Sequence, residues 1–225
     1  MKRAMLVLAP FVLMLPVAAW ANGIDFNNRF GTVSVTELGG VVSRGSELVS
    51  WGSIKAAVGH DLGSVSFSTG ALSSGSIWGG GTFAGGRTFV VRGVGAWAKT
   101  LTGASHCGSG CALFTGSFVG PVNWTVLSVG KGGLTHTFEL SGAIQGQFWD
   151  GRTVSGTTTQ TIYAYKNHWF GDKGGISLGK SNLTVPEPGT LGLLGNGLVG
   201  LAGAFRRRYF TGHNWGSILA NRARV

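Results

Sequence analysis

Acidic residues are scarce in this chain: 225 residues hold 8 Asp+Glu against 18 Lys+Arg, a formal charge of +10. The surplus sits at the ends. Lys2 and Arg3 open the chain, and Arg206, Arg207, Arg208, Arg222 and Arg224 close it, leaving 11 basic and 7 acidic residues scattered through residues 22–185. Without a basic run or stripe in that segment, nucleic acid is not an expected partner. Proline is rare too, and Pro121 is its only occurrence between 22 and 185, which excludes a Pro-rich stalk. Two cysteines are too few for a disulfide-dense scaffold or a four-cysteine zinc site. The segment also lacks a G-x-S-x-G elbow, a D-x-D-x-D-G calcium loop and any sustained 3.6-residue apolar period. Neither an enzyme nor a cofactor or metal site is expected from these absences.

What is abundant is glycine, 41 residues in all, of which 33 fall within 22–185. They do not recur every third position, so the chain is not collagen-like. Six Trp, ten Phe and two Tyr in the same segment supply the apolar surface for a folded core.

The ends read as topogenic. Residues 1–21 have a basic start, an apolar run from Ala4 to Trp20, and Ala19 and Ala21 bracketing Trp20 as an A-x-A site, the pattern of a signal peptide cut by signal peptidase. An uncleaved anchor is the alternative. A second uncharged apolar run, residues 189–205, would reach about 26 Å as a helix, a minimal membrane span. Six of its seventeen residues are glycine, tolerable in lipid and poor in a soluble helix. Arg206, Arg207 and Arg208 follow at once and would orient that end toward the cytoplasm, with a short basic tail at 209–225. Pro186 and Pro188 fix extended backbone on either side of Glu187, immediately before the run.

Pro186-Glu187-Pro188, the Gly/Leu-rich run and the arginine cluster, in that order, resemble the PEP-CTERM sorting signal of Gram-negative bacteria that make exopolysaccharide. The resemblance implies an inner-membrane stage, recognition at Pro186 to Pro188 by an exosortase-like membrane enzyme, and passage toward the cell surface or extracellular matrix.

Residues 22–185 alternate with period two. Leu134, His136, Phe138 and Leu140 share one face, and Thr159, Thr161, Tyr163 and Tyr165 another, with glycines every eight to fifteen residues. The expected fold is all-β, an antiparallel β-sandwich or alternatively a β-solenoid, followed by one C-terminal transmembrane helix. An internal echo supports strands: residues 81–89 and 146–154 share Gly, Phe, Gly, Arg and Thr at five of nine positions, and Gly85-Gly86 and Asp150-Gly151 suit tight hairpins. Residues 116–121 are a weaker third copy.

Cys107 and Cys111, separated by Gly-Ser-Gly, are expected to form a local disulfide after export; a metal site with His106 is the rival reading. Glu139 and Asp150 are the one carboxylate pair close enough in sequence to consider for glycoside cleavage, although a turn role for Asp150 is the simpler reading. Trp149 and Trp169 are the candidate glycan contacts, because exposed aromatic faces stack on sugar rings. Together these features predict a non-catalytic envelope or matrix protein linked to exopolysaccharide, with a tryptophan-based polysaccharide-binding module as the alternative.

Overall fold

In a computed structural model, which describes residues 23–107, 109–165 and 174–185, the alternating segments form strands throughout. In chain order these are β1 Gly23–Phe30, β2 Thr32–Thr36, β3 Gly40–Trp51, β4 Ile54–Lys55, β5 Gly63–Ser68, β6 Leu72–Ser76, β7 Gly80–Phe83, β8 Thr88–Gly93, β9 Cys111–Val129, β10 Thr135–Phe148, β11 Thr153–Tyr165 and β12 Gly175–Thr184. One helix, α1 Gly95–Thr102, lies between β8 and β9.

Eight strands close into a barrel in the order β1, β3, β5, β8, β9, β10, β11, β12 and back to β1, every pair antiparallel. The expected sandwich, and its solenoid alternative, are therefore corrected. A sandwich keeps two sheets with free edges, whereas every strand of this ring is paired on both sides. The remaining strands decorate it: β2 and β4 pair with β3, and β7 lies on β9 with β6 beyond it. No described helix is long and apolar enough to cross a membrane. The expected span at 189–205 lies outside the described residues, as do residues 1–21 and the tail at 209–225.

Glycine is what lets so small a ring close. Gly63 faces Gly93 across β5 and β8, and Gly116 faces Gly146 across β9 and β10. A Cβ on Gly63 would overlap the carbonyl oxygen of Arg92, and one on Gly146 that of Thr115. Strands this close need glycine, which permits the sharp coiling that closure demands. Pro121 sits where β9 bulges: Val119 pairs with Ala143 and Asn123 with Ser141, leaving the intervening residues out of the ladder on β10. Proline is confined to such positions because it has no N–H to donate.

The barrel is filled, not hollow. On β10 the inward residues His136, Phe138, Leu140, Ile144 and Phe148 alternate with outward Thr137, Glu139, Ser141, Gln145 and Gln147. Across the interior Phe67 stacks on Phe89 at 5.6 Å, Phe89 meets Phe118 edge-on at 5.7 Å, and Phe26 stacks on Trp51 at 5.5 Å. Along β10 the outer face is polar, unlike the apolar outer band of a membrane-spanning barrel, while Leu127, Val129, Leu134 and Leu178 are exposed elsewhere on the surface.

One side of the interior is polar and internally satisfied. The Asn28 amide donates to Ser46 Oγ at 2.7 Å and to Gln160 Oε1 at 3.0 Å, while the Gln160 amide donates back to Asn28 Oδ1 and to Thr158 Oγ1. Thr158 in turn bonds Ser181. Asn28 on β1 and Gln160 on β11 are both in register with Gly179 on the intervening β12. Any side chain there would overlap both amide oxygens, so the missing Cβ is what allows the bridge across three strands. Buried amides paired in this way avoid the cost of desolvated, unpartnered polar groups.

The registers define two ends. At the near end Gly23 pairs with Thr184, Ser155 with Thr184, Gln147 with Thr153 and Gly93 with Cys111, so this end carries both chain exits, α1 and the β10–β11 hairpin. The far end carries the β2–β3 turn and the β9–β10 connection.

Candidate functional site

The C-terminal strand leads straight into the sorting segment. Thr184 is the last residue of β12, its hydroxyl donates to the Ser155 carbonyl at 3.1 Å, and Val185 packs against the main core. Pro186 is the next residue, so no linker separates the barrel rim from the Pro-Glu-Pro segment. Pro186, Glu187, Pro188, Arg206, Arg207 and Arg208, together with Ala19, Ala21 and Trp169, lie outside the described residues.

At the same rim Trp149 is half-buried, its ring edge-on to Trp51 at 6.4 Å and 5.4 Å from Phe148. It packs against the main core, so the ring proposed for sugar stacking spends part of its surface on packing. The hairpin beyond it is pinned by charge. Asp150 Oδ1 accepts from the Arg152 N–H at 3.1 Å and Oδ2 from Arg152 Nε at 2.6 Å. Slight burial pushes the Asp150 carboxyl up, but the Arg152 backbone and guanidinium donors outweigh it and hold the group below the usual carboxylate range.

Cys107 and Cys111 are disulfide-bonded, with Cα atoms 4.9 Å apart. They pack on Ala98 of α1, while Trp97 and Leu101 on the same helix contact the barrel core. The helix stops at Gly103, whose left-handed backbone lets its N–H donate to the Lys99 carbonyl at 2.9 Å. With both sulfurs so engaged, His106 has no thiolate with which to share a metal. Among the described residues no three His, Cys, Asp or Glu side chains cluster to hold an ion.

The carboxylate pair separates. Glu139 lies midway along the outer face of β10, opposite Thr125 and Thr161, and Asp150 lies beyond that strand's end. Nine residues from Glu139 to Phe148 span about 30 Å of extended chain, far beyond the roughly 5–9.5 Å of a glycosidase pair. His136 is buried, edge-on to Trp78 at 5.0 Å and stacked on Phe138, a packing role.

A feature that motif reasoning passed over lies on the outer wall, where β9, β10 and β11 run side by side near the hairpin. Thr115, Ser117, Gln145, Gln147 and Thr153 surround an open groove of about 430 Å³. The signal was in the sequence, as Gln145-Gly146-Gln147 facing Thr115-Gly116-Ser117, but only the register brings those triplets together.

Residues 184–208 match the family model of the PEP-CTERM protein-sorting motif. No curated protein and no solved structure matches the chain. The match starts at Thr184, where the barrel ends, and marks the chain for export and membrane-associated sorting by an exosortase-type enzyme of Gram-negative bacteria.

Proposed function

We propose that this exported PEP-CTERM protein is a non-catalytic component of the cell envelope or extracellular matrix, associated with exopolysaccharide. Signal peptidase removes residues 1–21, and the exosortase-like enzyme acts on the segment at Pro186, Glu187 and Pro188. The observation that carries this reading is the boundary at Thr184. β12 is paired on both sides, with β1 and β11, and the matched segment begins on its last residue. Processing beyond Val185 thus removes no strand of the barrel, and the released body keeps its closed ring. The roughly 30 Å that separates Glu139 from the hairpin of Asp150 supports a binding or structural role over glycoside cleavage.

Immunoblotting of wild-type cells, cells without the sorting enzyme, and cells carrying Pro186→Ala with Pro188→Ala tests the reading. The expected outcome is a shorter mature form, recovered with the extracellular polysaccharide fraction, in wild-type cells only. A mature size that is the same in all three strains overturns the proposed processing.

A further inference from the structure

We propose that the groove on the outer wall is a binding site for a neutral polysaccharide chain lying across β9, β10 and β11. The side chains form two rows set by register: Thr115, Gln147 and Thr153 in one, Ser117 and Gln145 in the other. Strands about 4.8 Å apart and rows about 7 Å apart give a patch of about 10 by 7 Å, the footprint of one to two sugar rings. Between the rows lie Gly116 and Gly146, so the floor is bare backbone. Both positions are held to glycine by the close approach of β9 and β10, since a Cβ on either would overlap a neighbouring carbonyl oxygen. Val119, next to the bulge at Gly120-Pro121, also lines the groove and is 48% exposed.

The chemistry selects the ligand. No residue lining the groove is charged, which disfavours a polyanion or a phosphate backbone, since those recruit Arg and Lys. The five polar side chains make no hydrogen bond to any described residue, so all their donors and acceptors face outward. Two carboxamides and three hydroxyls each offer both a donor and an acceptor, the complement of a sugar hydroxyl, which also needs both. Val119 adds a small apolar surface for the C–H face of a ring, completing the mixture of apolar contact and placed polar groups typical of small-molecule sites. An open, solvated groove binds a single sugar weakly, and affinity grows by engaging a polymer at many copies.

The inference rests on the envelope reading only for where such a polymer is met. Its test uses the purified full chain in affinity gel electrophoresis with dextran, glucomannan or galactomannan in the gel and alginate as a polyanionic control. Retardation by at least one neutral polymer is expected, unchanged between low and 0.5 M salt. Gln145→Ala with Gln147→Ala should weaken it at least tenfold, and the near-isosteric pair Thr115→Val with Thr153→Val severalfold, with melting temperatures unaltered. Absence of retardation by every neutral polymer overturns the proposal, as does wild-type retardation of both variants. Sedimentation showing a dimer that Gln145→Ala with Gln147→Ala dissociates would assign the groove to a second copy instead. Retardation by alginate alone would trace binding to net charge and overturn it as well. None of these failures alters the processing measured by immunoblot, so the two readings fall separately.

Discussion

The two ends of the barrel are held by different means. At the near end, where the chain enters and leaves, long-range ring contacts such as Trp51 with Trp149 and Phe148 are supplemented by ties local in sequence: Cys107 to Cys111 across four positions, Asp150 to Arg152 across two, and the eight-residue α1. At the far end they are long-range and aromatic. Trp124 stacks on Phe138 at 4.4 Å, meets Phe83 edge-on, and donates its indole N–H to the Ile77 carbonyl 47 positions away at 2.7 Å. The core reaches the near end too, through Phe26, Trp51 and Phe148, and what sets that end apart is the short clasps added to it.

The largest expected effect breaks the far end. Trp124→Ala removes a fully buried ring together with its hydrogen bond, a change of about 3–5 kcal/mol, against a typical total of about 5–15 kcal/mol. Trp149→Ala, half-buried at the near rim, should cost about 1–2 kcal/mol, in line with partial loss of apolar burial and edge-on ring contacts. Urea titration followed by far-ultraviolet circular dichroism compares the two. Equal losses would erase the distinction between the ends.

Next comes the covalent clasp. Replacing Cys107 and Cys111 together by Ala opens a ring so short that loop entropy gives it only about 2 kcal/mol. For a domain of this size that corresponds to a melting temperature lower by about 4–8 °C. Hydrogen exchange should rise within α1 and residues 103–111, while β9 and β10 keep their protection. Loss of protection throughout the barrel would show that this near-end tie is part of the cooperative core after all.

How much of this was legible follows from what a linear pattern can carry. Alternation at Thr88 to Arg92, along β10 and along β11 announced strands, and Asp150-Gly151 does turn a hairpin, with Gly151 at φ +82° and its N–H on the Phe148 carbonyl. The first copy of the echo misleads. Gly85-Gly86 joins β7 to β8, but those strands do not pair with each other; both lie on β9, against Val122–Trp124 and Cys111–Ser117 respectively. Likewise Gly116 and Gly120-Pro121, read as a weak third hairpin, sit inside the continuous 19-residue β9. Glycine marks a bend as readily as an end, and only the partner strand decides which. Closure was illegible for the same reason, because it depends on β1 meeting β12 and β9 meeting β10. The buried bridge from Asn28 to Gln160 joins residues 132 positions apart and carries no local signature. The sorting signal, by contrast, is contiguous, and three short patterns at one locus were enough.

The smallest effect tests whether charge contributes to the near-end hairpin. Asp150→Asn keeps an oxygen to accept the Arg152 N–H and removes only the ion pair, whose partners are about one third and one half exposed. Solvent screening limits the loss to about 0.5 kcal/mol or less at neutral pH. Because the folded carboxyl titrates below its unfolded value, its contribution is fully present above about pH 4 and is lost as the pH falls through the depressed folded value. The stability gap between wild type and Asp150→Asn should therefore be measurable at pH 7 and vanish at pH 2. A gap that survives at pH 2 would assign it to turn geometry, leaving the disulfide and α1 as the clasps that secure the rim.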